Sequence, residues 1–309
     1  MAKDSPHAPG VIAGRRRASK GRLILLTIAV VAACVYAAAL LFMISQETRL
    51  VFEHGRPLGA LRPLAPFEEV ELPRADSDRQ IAWIMRHSDP EAAWILYLHG
   101  NRANVASRVN IVRYEGLRSA GFNVLAPEYR GFGGIPGEPS EASVTEDGRQ
   151  AYRYLRETLR VPESRIVIFG WSLGSAVAVN VAAEVPSAAV ILEGAPASLV
   201  AIGEKRYPWI PIRMVMRNPF ESILRVRRIQ APMLFLHSPE DQVIPIDEGR
   251  KLFNAAPGDK QFVEVRGGHI DPADVDASVY FGSIRDFLTE RVAMGAEPVM
   301  EEGKGKMEK

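Results

Sequence analysis

The sequence predicts an α/β fold: a mostly parallel central sheet with helices on both faces, preceded by one membrane-crossing helix. Three observations carry this. Ala93–Leu98 and Ala188–Leu192 are short runs with no polar residue, as in strands buried on both faces. Segments of helical length alternate with these and further short runs, which argues for parallel strands covered by helices. Finally, Leu23–Ile44 carries no charge over about 22 residues, long enough as a helix to cross a hydrocarbon core of ~30 Å.

A signal peptide's apolar region is shorter, so Leu23–Ile44 reads as an uncleaved anchor (residues 23–45) behind a basic tail (1–22). Lys3, Arg15, Arg16, Arg17, Lys20 and Arg22 precede it, while Gln46, Glu47, Arg49 and Glu53 follow. The excess of positive charge on the leading side places the N-terminus in the cytoplasm and the rest of the chain across the membrane, in the periplasm if the source is a bacterium. Cys34 is the sole cysteine, so no intrachain disulfide can form. Val31–Cys34 matches a lipoprotein cleavage box, but the apolar run continues to Ile44 where a mature lipoprotein turns polar.

The whole chain has 309 residues, a net charge of +1, 47% hydrophobic and 24% charged residues, a globular balance that gives no reason to expect a nucleic-acid partner. Residues 46–293 suffice for one domain with a large core. Phe67–Leu72 and Ile81–His87 are expected as antiparallel strands around the polar turn Pro73–Arg79. The strand Ala93–Leu98 leads to a helix over Val105–Ser119, then the strand Phe122–Ala126. A helix over Thr145–Leu159, the strand Arg165–Phe169, a helix over Ser172–Ala183 and the strand Ala188–Leu192 follow. An insertion at about 196–229 interrupts the alternation. It resumes with the strand Met233–His237, a helix over Ile246–Ala256, the strand Lys260–Val265 and a helix over Ala277–Val292. The lysine- and glutamate-rich tail at 294–309 has no apolar face to pack.

The chemistry centres on Gly170-Trp171-Ser172-Leu173-Gly174, between a strand and a helix. With 25 glycines in the chain the pentapeptide alone has little force, and its strand–turn–helix context supplies the argument. Such a turn is strained, lifts the serine Oγ above the sheet, and needs Gly170 and Gly174 because side chains there collide with neighbouring strand and helix. An activated Ser172 needs a base and a group to orient it. His7 precedes the membrane span, and His54 and His87 precede the parallel sheet. His99 and His237 end strands and read as structural, which leaves His269 on the flexible Arg266–Asp271 loop after the last strand. Asp241, a few residues past a strand end, is the preferred orienting acid. Glu240 and Asp247 compete nearby, and Glu193 offers the same task from the previous strand or, failing that, a buried acid bonding loop backbone. Backbone N–H groups of Leu173 and Asn101 are positioned to hold an oxyanion.

Taken together, His99-Gly-Asn101, Tyr129-Arg-Gly-Phe-Gly-Gly with Gly137-Glu-Pro-Ser140, the Gly170–Gly174 elbow, Asp241 and Gly268-His269 resemble the α/β-hydrolase superfamily over residues 65–291. Within it the chain is similar to membrane-anchored, small-lid serine hydrolases, a branch that includes depalmitoylating and serine aminopeptidase-like proteins. The resemblance implies an α/β-hydrolase fold with a small lid. It also implies that Ser172, Asp241 and His269, in that order, hydrolyse an ester or thioester of a small-molecule or lipid acyl substrate. Family members have also been assigned to peptide bonds, and the same residues suit a peptidase or an acyltransferase; a non-catalytic binding protein is the rival of another class. The family often has glycine where this chain has Ser238, which bears on the geometry of the Asp241 turn.

Gly131-Phe-Gly133-Gly134-Ile-Pro136-Gly137 invites a dinucleotide reading, but Pro136 and Pro139 deny it the helix start that a pyrophosphate needs. No histidine or carboxylate spacing matches zinc, and the mechanism calls for no metal and no cofactor. Tyr207–Met216, apolar and broken by prolines, is placed either to line an acyl pocket or touch a bilayer, or simply to pack over the sheet. Nothing in the sequence speaks to oligomeric state.

Overall fold

The computed structural model describes residues 12–73 and 80–292. Residues 1–11, the expected turn at 74–79 and the tail at 294–309 lie outside the described residues. Residues 1–47 and 48–309 form two units. In the first, helix α1 (Ile12–Ser45) begins within the basic segment, earlier than expected, and its Gly21–Ser45 portion is long and apolar enough to cross a membrane.

The second unit holds an eight-stranded sheet among the described residues. In chain order the elements after α1 are α2 (Glu47–Phe52), β1 (Glu68–Leu72), β2 (Gln80–Met85), β3 (Trp94–Leu98), α3 (Arg108–Ser119), β4 (Asn123–Pro127) and α4 (Glu141–Arg153). Next come β5 (Ile166–Trp171), α5 (Leu173–Ala182), β6 (Ala189–Glu193), α6 (Leu199–Arg206), α7 (Ile212–Val215) and α8 (Ser222–Arg225). The unit continues with β7 (Met233–His237), α9 (Ile246–Ala255), β8 (Lys260–Glu264), α10 (Pro272–Val275) and α11 (Ala277–Arg291). The strand order is β1-β2-β4-β3-β5-β6-β7-β8, with β2 antiparallel to β1 and β4 and the remaining pairs parallel. This is the mostly parallel, helix-covered sheet that the apolar runs and their alternation predict, and the α/β-hydrolase architecture that the family resemblance implies.

The central strands are buried on both faces because both faces are covered. Along β3, Leu96 and Leu98 join one hydrophobic cluster with residues of α5, while Ile95 and Tyr97 join a second with residues of α3 and α11. The period of two splits each strand between the clusters. Each such Leu, Ile or Phe contributes roughly 1.5–3 kcal/mol on burial. Every residue of α5 is buried, which accounts for a largely apolar sequence whose polar members, Ser175 and Asn180, are hydrogen-bonded within the fold.

Helices α4 and α3 also differ from expectation at their ends. Helix α4 starts at Glu141, four residues before Thr145, because Ser140 and Ser143 form a reciprocal capping box (Ser143 N to Ser140 Oγ 3.1 Å, Ser140 N to Ser143 Oγ 2.8 Å). It ends at Arg153, where a π-helical turn, Tyr154–Thr158, takes over. Helix α3 starts at Arg108 rather than Val105, because the Asn104 side chain accepts from Ala106 N at 3.0 Å and holds a turn there. Within the 196–229 insertion, Pro208, Pro211 and Pro219 break the chain into the short helices α6, α7 and α8, followed by a 3₁₀ turn at Val226–Arg228.

Candidate active site

Ser172 stands at the end of β5 with φ 55° and ψ −122°, backbone angles that an L-residue adopts only under strain. The two glycines make that turn possible. A Cβ on Gly170 would lie 2.3 Å from Gly174 O, and one on Gly174 would lie 2.0 Å from Leu98 O at the end of β3. The turn is tied down from below, since Ser172 N donates to Glu193 O at 2.8 Å.

The fold gathers Ser172, His269 and Asp241 from the ends of β5, β8 and β7. Ser172 Oγ donates to His269 Nε2 at 2.7 Å, and His269 Nδ1 donates to Asp241 Oδ2 at 2.6 Å. The other carboxylate oxygen of Asp241 accepts from Val243 N at 2.8 Å and Ile244 N at 2.9 Å. Burial by itself raises the Asp241 pKa, but the His269 contact and these two amides outweigh it and hold the carboxyl below its ordinary value. Gly194, φ +54°, lies alongside: a Cβ there would sit 3.4 Å from the His269 ring and 3.5 Å from Asp241 Oδ2. Sequence reasoning overlooked it, although a glycine directly after a strand was the available signal.

A cavity of about 510 Å³ opens beside Ser172 and is mostly apolar, with Val51, Leu199, Val243, Ile244 and Ile270 in its wall. Asn101 and Leu173, whose backbone N–H groups were expected to face an oxyanion, both line it. The Asn101 side chain is engaged elsewhere, donating to Val51 O at 2.9 Å. Arg102, at φ 58°, pairs with Glu53 on the polar part of the wall. From the insertion, Pro196 and Leu199 contribute to the wall. Tyr207–Met216 does not, and its Trp209 and Met214 side chains are exposed.

The remaining candidates fall into structural roles. His99 donates from Nε2 to Glu128 Oε1 at 2.9 Å, and Glu128 in turn accepts from Val105 N at 3.0 Å, so the pair holds the Asn101 loop. His237 donates from Nε2 to Ile244 O at 2.8 Å, bracing the Asp241 turn; burial keeps its ring pKa below 6.5 despite that bond. Glu240 and Asp247 do not enter the Ser172–His269 contact network, and Ser238 Oγ donates to Gly267 O, stitching the Asp241 turn to the His269 loop. Glu193 requires a correction. It is neither beside His269 nor bound to loop backbone through its carboxylate; it forms a bidentate pair with Arg113, Nε to Oε2 at 2.9 Å and Nη2 to Oε1 at 2.5 Å. The partner comes from α3, which no local sequence pattern connects to β6.

Comparison with known proteins agrees with this architecture. The model of the alpha/beta hydrolase family matches residues 95–266. An uncharacterized protein of Mycobacterium tuberculosis is 34% identical over 274 residues, covering 87% of this chain and 97% of that one. Lysophosphatidylserine lipase ABHD12 of Danio rerio is 32% identical over 180 residues, which span 52% of this chain and 47% of the lipase. Among solved structures, an esterase of Pyrococcus furiosus superposes with a TM-score of 0.64 at 19% identity, over 77% of this chain and 98% of that one, a likeness of fold.

Proposed function

The chain belongs to the alpha/beta hydrolase family, and from that premise we propose that it is a serine hydrolase of carboxylic esters or thioesters, held to a membrane by α1. The observation that carries the reading is the relay from Ser172 through His269 to Asp241, at 2.7 and 2.6 Å, on the wall of an apolar cavity. In this mechanism His269 takes the Ser172 proton as Oγ attacks the acyl carbon. The tetrahedral oxyanion is held by the N–H groups of Leu173 and Asn101. His269 returns the proton to the leaving alcohol or thiol. It then takes a proton from the water that attacks the acyl-enzyme and passes it to Ser172 Oγ as the acid leaves. Asp241 orients the ring and stabilises its charged form. The chemistry needs no metal or cofactor.

The cavity supports an acyl chain as the group bound, and the name of the lysophosphatidylserine lipase relative supports a lipid source for it. We assign residues 46–293 to the hydrolase domain and 196–229 to its lid. The positive-inside bias of the first residues supports a cytoplasmic N-terminus with the hydrolase domain on the far side. The test is fluorophosphonate labelling of membranes carrying the wild-type chain or Ser172→Ala, followed by esters of increasing acyl length. Labelling of the wild type alone is expected. A folded wild type that takes no label refutes the reading.

A further inference from the structure

Resting on the serine-hydrolase reading above, we infer that Arg113, held in place by Glu193, is a positioning residue for the base. The loop that carries His269 has few apolar anchors of its own, with Ile270 exposed. Three of its carbonyls instead accept bonds from three separate elements. Ser238 Oγ, past β7, donates to Gly267 O. Trp171 Nε1, at the end of β5, donates to His269 O at 3.2 Å. Arg113 Nη1, from α3, donates to Ile270 O at 3.3 Å and to Val109 O at 2.8 Å.

Arg113 acts on two of these three supports. Its guanidinium lies 4.6 Å from the centre of the Trp171 ring, so it fixes the indole that reaches His269 O while itself reaching Ile270 O. The guanidinium is 1% exposed, and burial opposes its charge; the Glu193 carboxylate outweighs that and holds its pKa well above the usual arginine range. Glu193 is braced in turn by Tyr280 Oη at 2.5 Å. Its own main-chain oxygen accepts from Ser172 N at 2.8 Å. One buried cluster therefore sets the main chain on both sides of the Ser172–His269 contact. A buried ion pair is poor value as a stabilising device, because a neutral isostere often does as well. Holding two loops in register is a task that a neutral isostere cannot perform, since methionine has no donor for Ile270 O.

The test compares Arg113→Met/Glu193→Gln and Arg113→Lys with the wild type. Full-length chains in detergent micelles are assayed for fluorophosphonate labelling rate and 4-nitrophenyl butyrate hydrolysis, both referred to the folded fraction. The double variant leaves no unpaired buried charge. Lysine keeps the charge for Glu193, but one ammonium cannot also reach Ile270 O and cover the indole. Both variants are expected to lose roughly 10- to 100-fold in kcat, as small misplacements of reacting groups do. KM should stay within about two-fold, and labelling should slow in parallel. The split itself, kcat lost and KM kept in the folded fraction, is what a merely structural role does not produce. Should the double variant not fold, Arg113→Lys decides alone. If wild type is labelled and kcat of the folded variants lies within two-fold of it, the positioning role is overturned while the serine-hydrolase reading stands. If wild type takes no label, that reading falls and this inference with it.

Discussion

The strain at Ser172 can be weighed by replacing the side chain twice. At φ 55°, ψ −122° the backbone lies near the mirror image of the extended region, which glycine enters freely and L-residues do not. Ser172→Ala and Ser172→Gly both lose the hydroxyl and its bond to His269, so that loss cancels when the two are compared. Alanine keeps the strain, on the order of 1–3 kcal/mol. Glycine relieves it but loses roughly 0.4–1 kcal/mol through the greater freedom of its unfolded chain. Ser172→Gly should therefore be more stable than Ser172→Ala by about 1 kcal/mol. For a domain of this size that is roughly 2–4 °C in thermal midpoint. Differential scanning calorimetry of the two inactive variants in the same detergent measures the difference directly. A glycine variant equal to or less stable than the alanine variant would refute the claim that the turn stores strain.

Three further outcomes follow from the same geometry. Asp241→Asn should lower kcat on the order of 10⁴-fold while leaving the fold intact, read by ester hydrolysis beside circular dichroism; a change under ten-fold would remove Asp241 from the orienting role. Gly174→Ala should destabilise by about 3 kcal/mol, because the added methyl meets Leu98 O at 2.0 Å and His99 O at 2.5 Å and neither backbone oxygen can withdraw cheaply; chemical denaturation measures it. Acidification should destabilise the domain over two successive pH ranges. The folded-state pKa of His237 is lowered, so the unfolded chain takes up its proton first and stability falls as pH drops below 6.5. Asp241, also lowered, contributes stability above 3.8 that is lost as pH falls further through its folded value. Urea midpoints across this range should show both losses, and His237→Gln should flatten only the first.

What the sequence determined by itself is local or periodic. The apolar runs declare buried strands because a strand covered on both faces can expose no polar residue. The Gly170–Gly174 elbow declares a strained turn because only glycine tolerates the approach of Leu98 O and Ser175. Asp241 and His269 are legible because each follows a strand end at the same edge of a parallel sheet. Helix starts were read less well where a cap was made by Ser140 and Ser143 instead of serine with glutamate. What only the tertiary structure decided is which distant polar groups meet. Glu193 shares its strand-end position with acids that orient a base, and it drops out as the alternative to Asp241 because Arg113, 80 residues away on α3, occupies its carboxylate. The same holds for Ser238 and Gly267, and for Trp171 and His269, separated by 29 and 98 residues. Such contacts leave no period and no spacing in the chain, since their energy depends on burial and geometry that exist only once the sheet and its covering helices have packed.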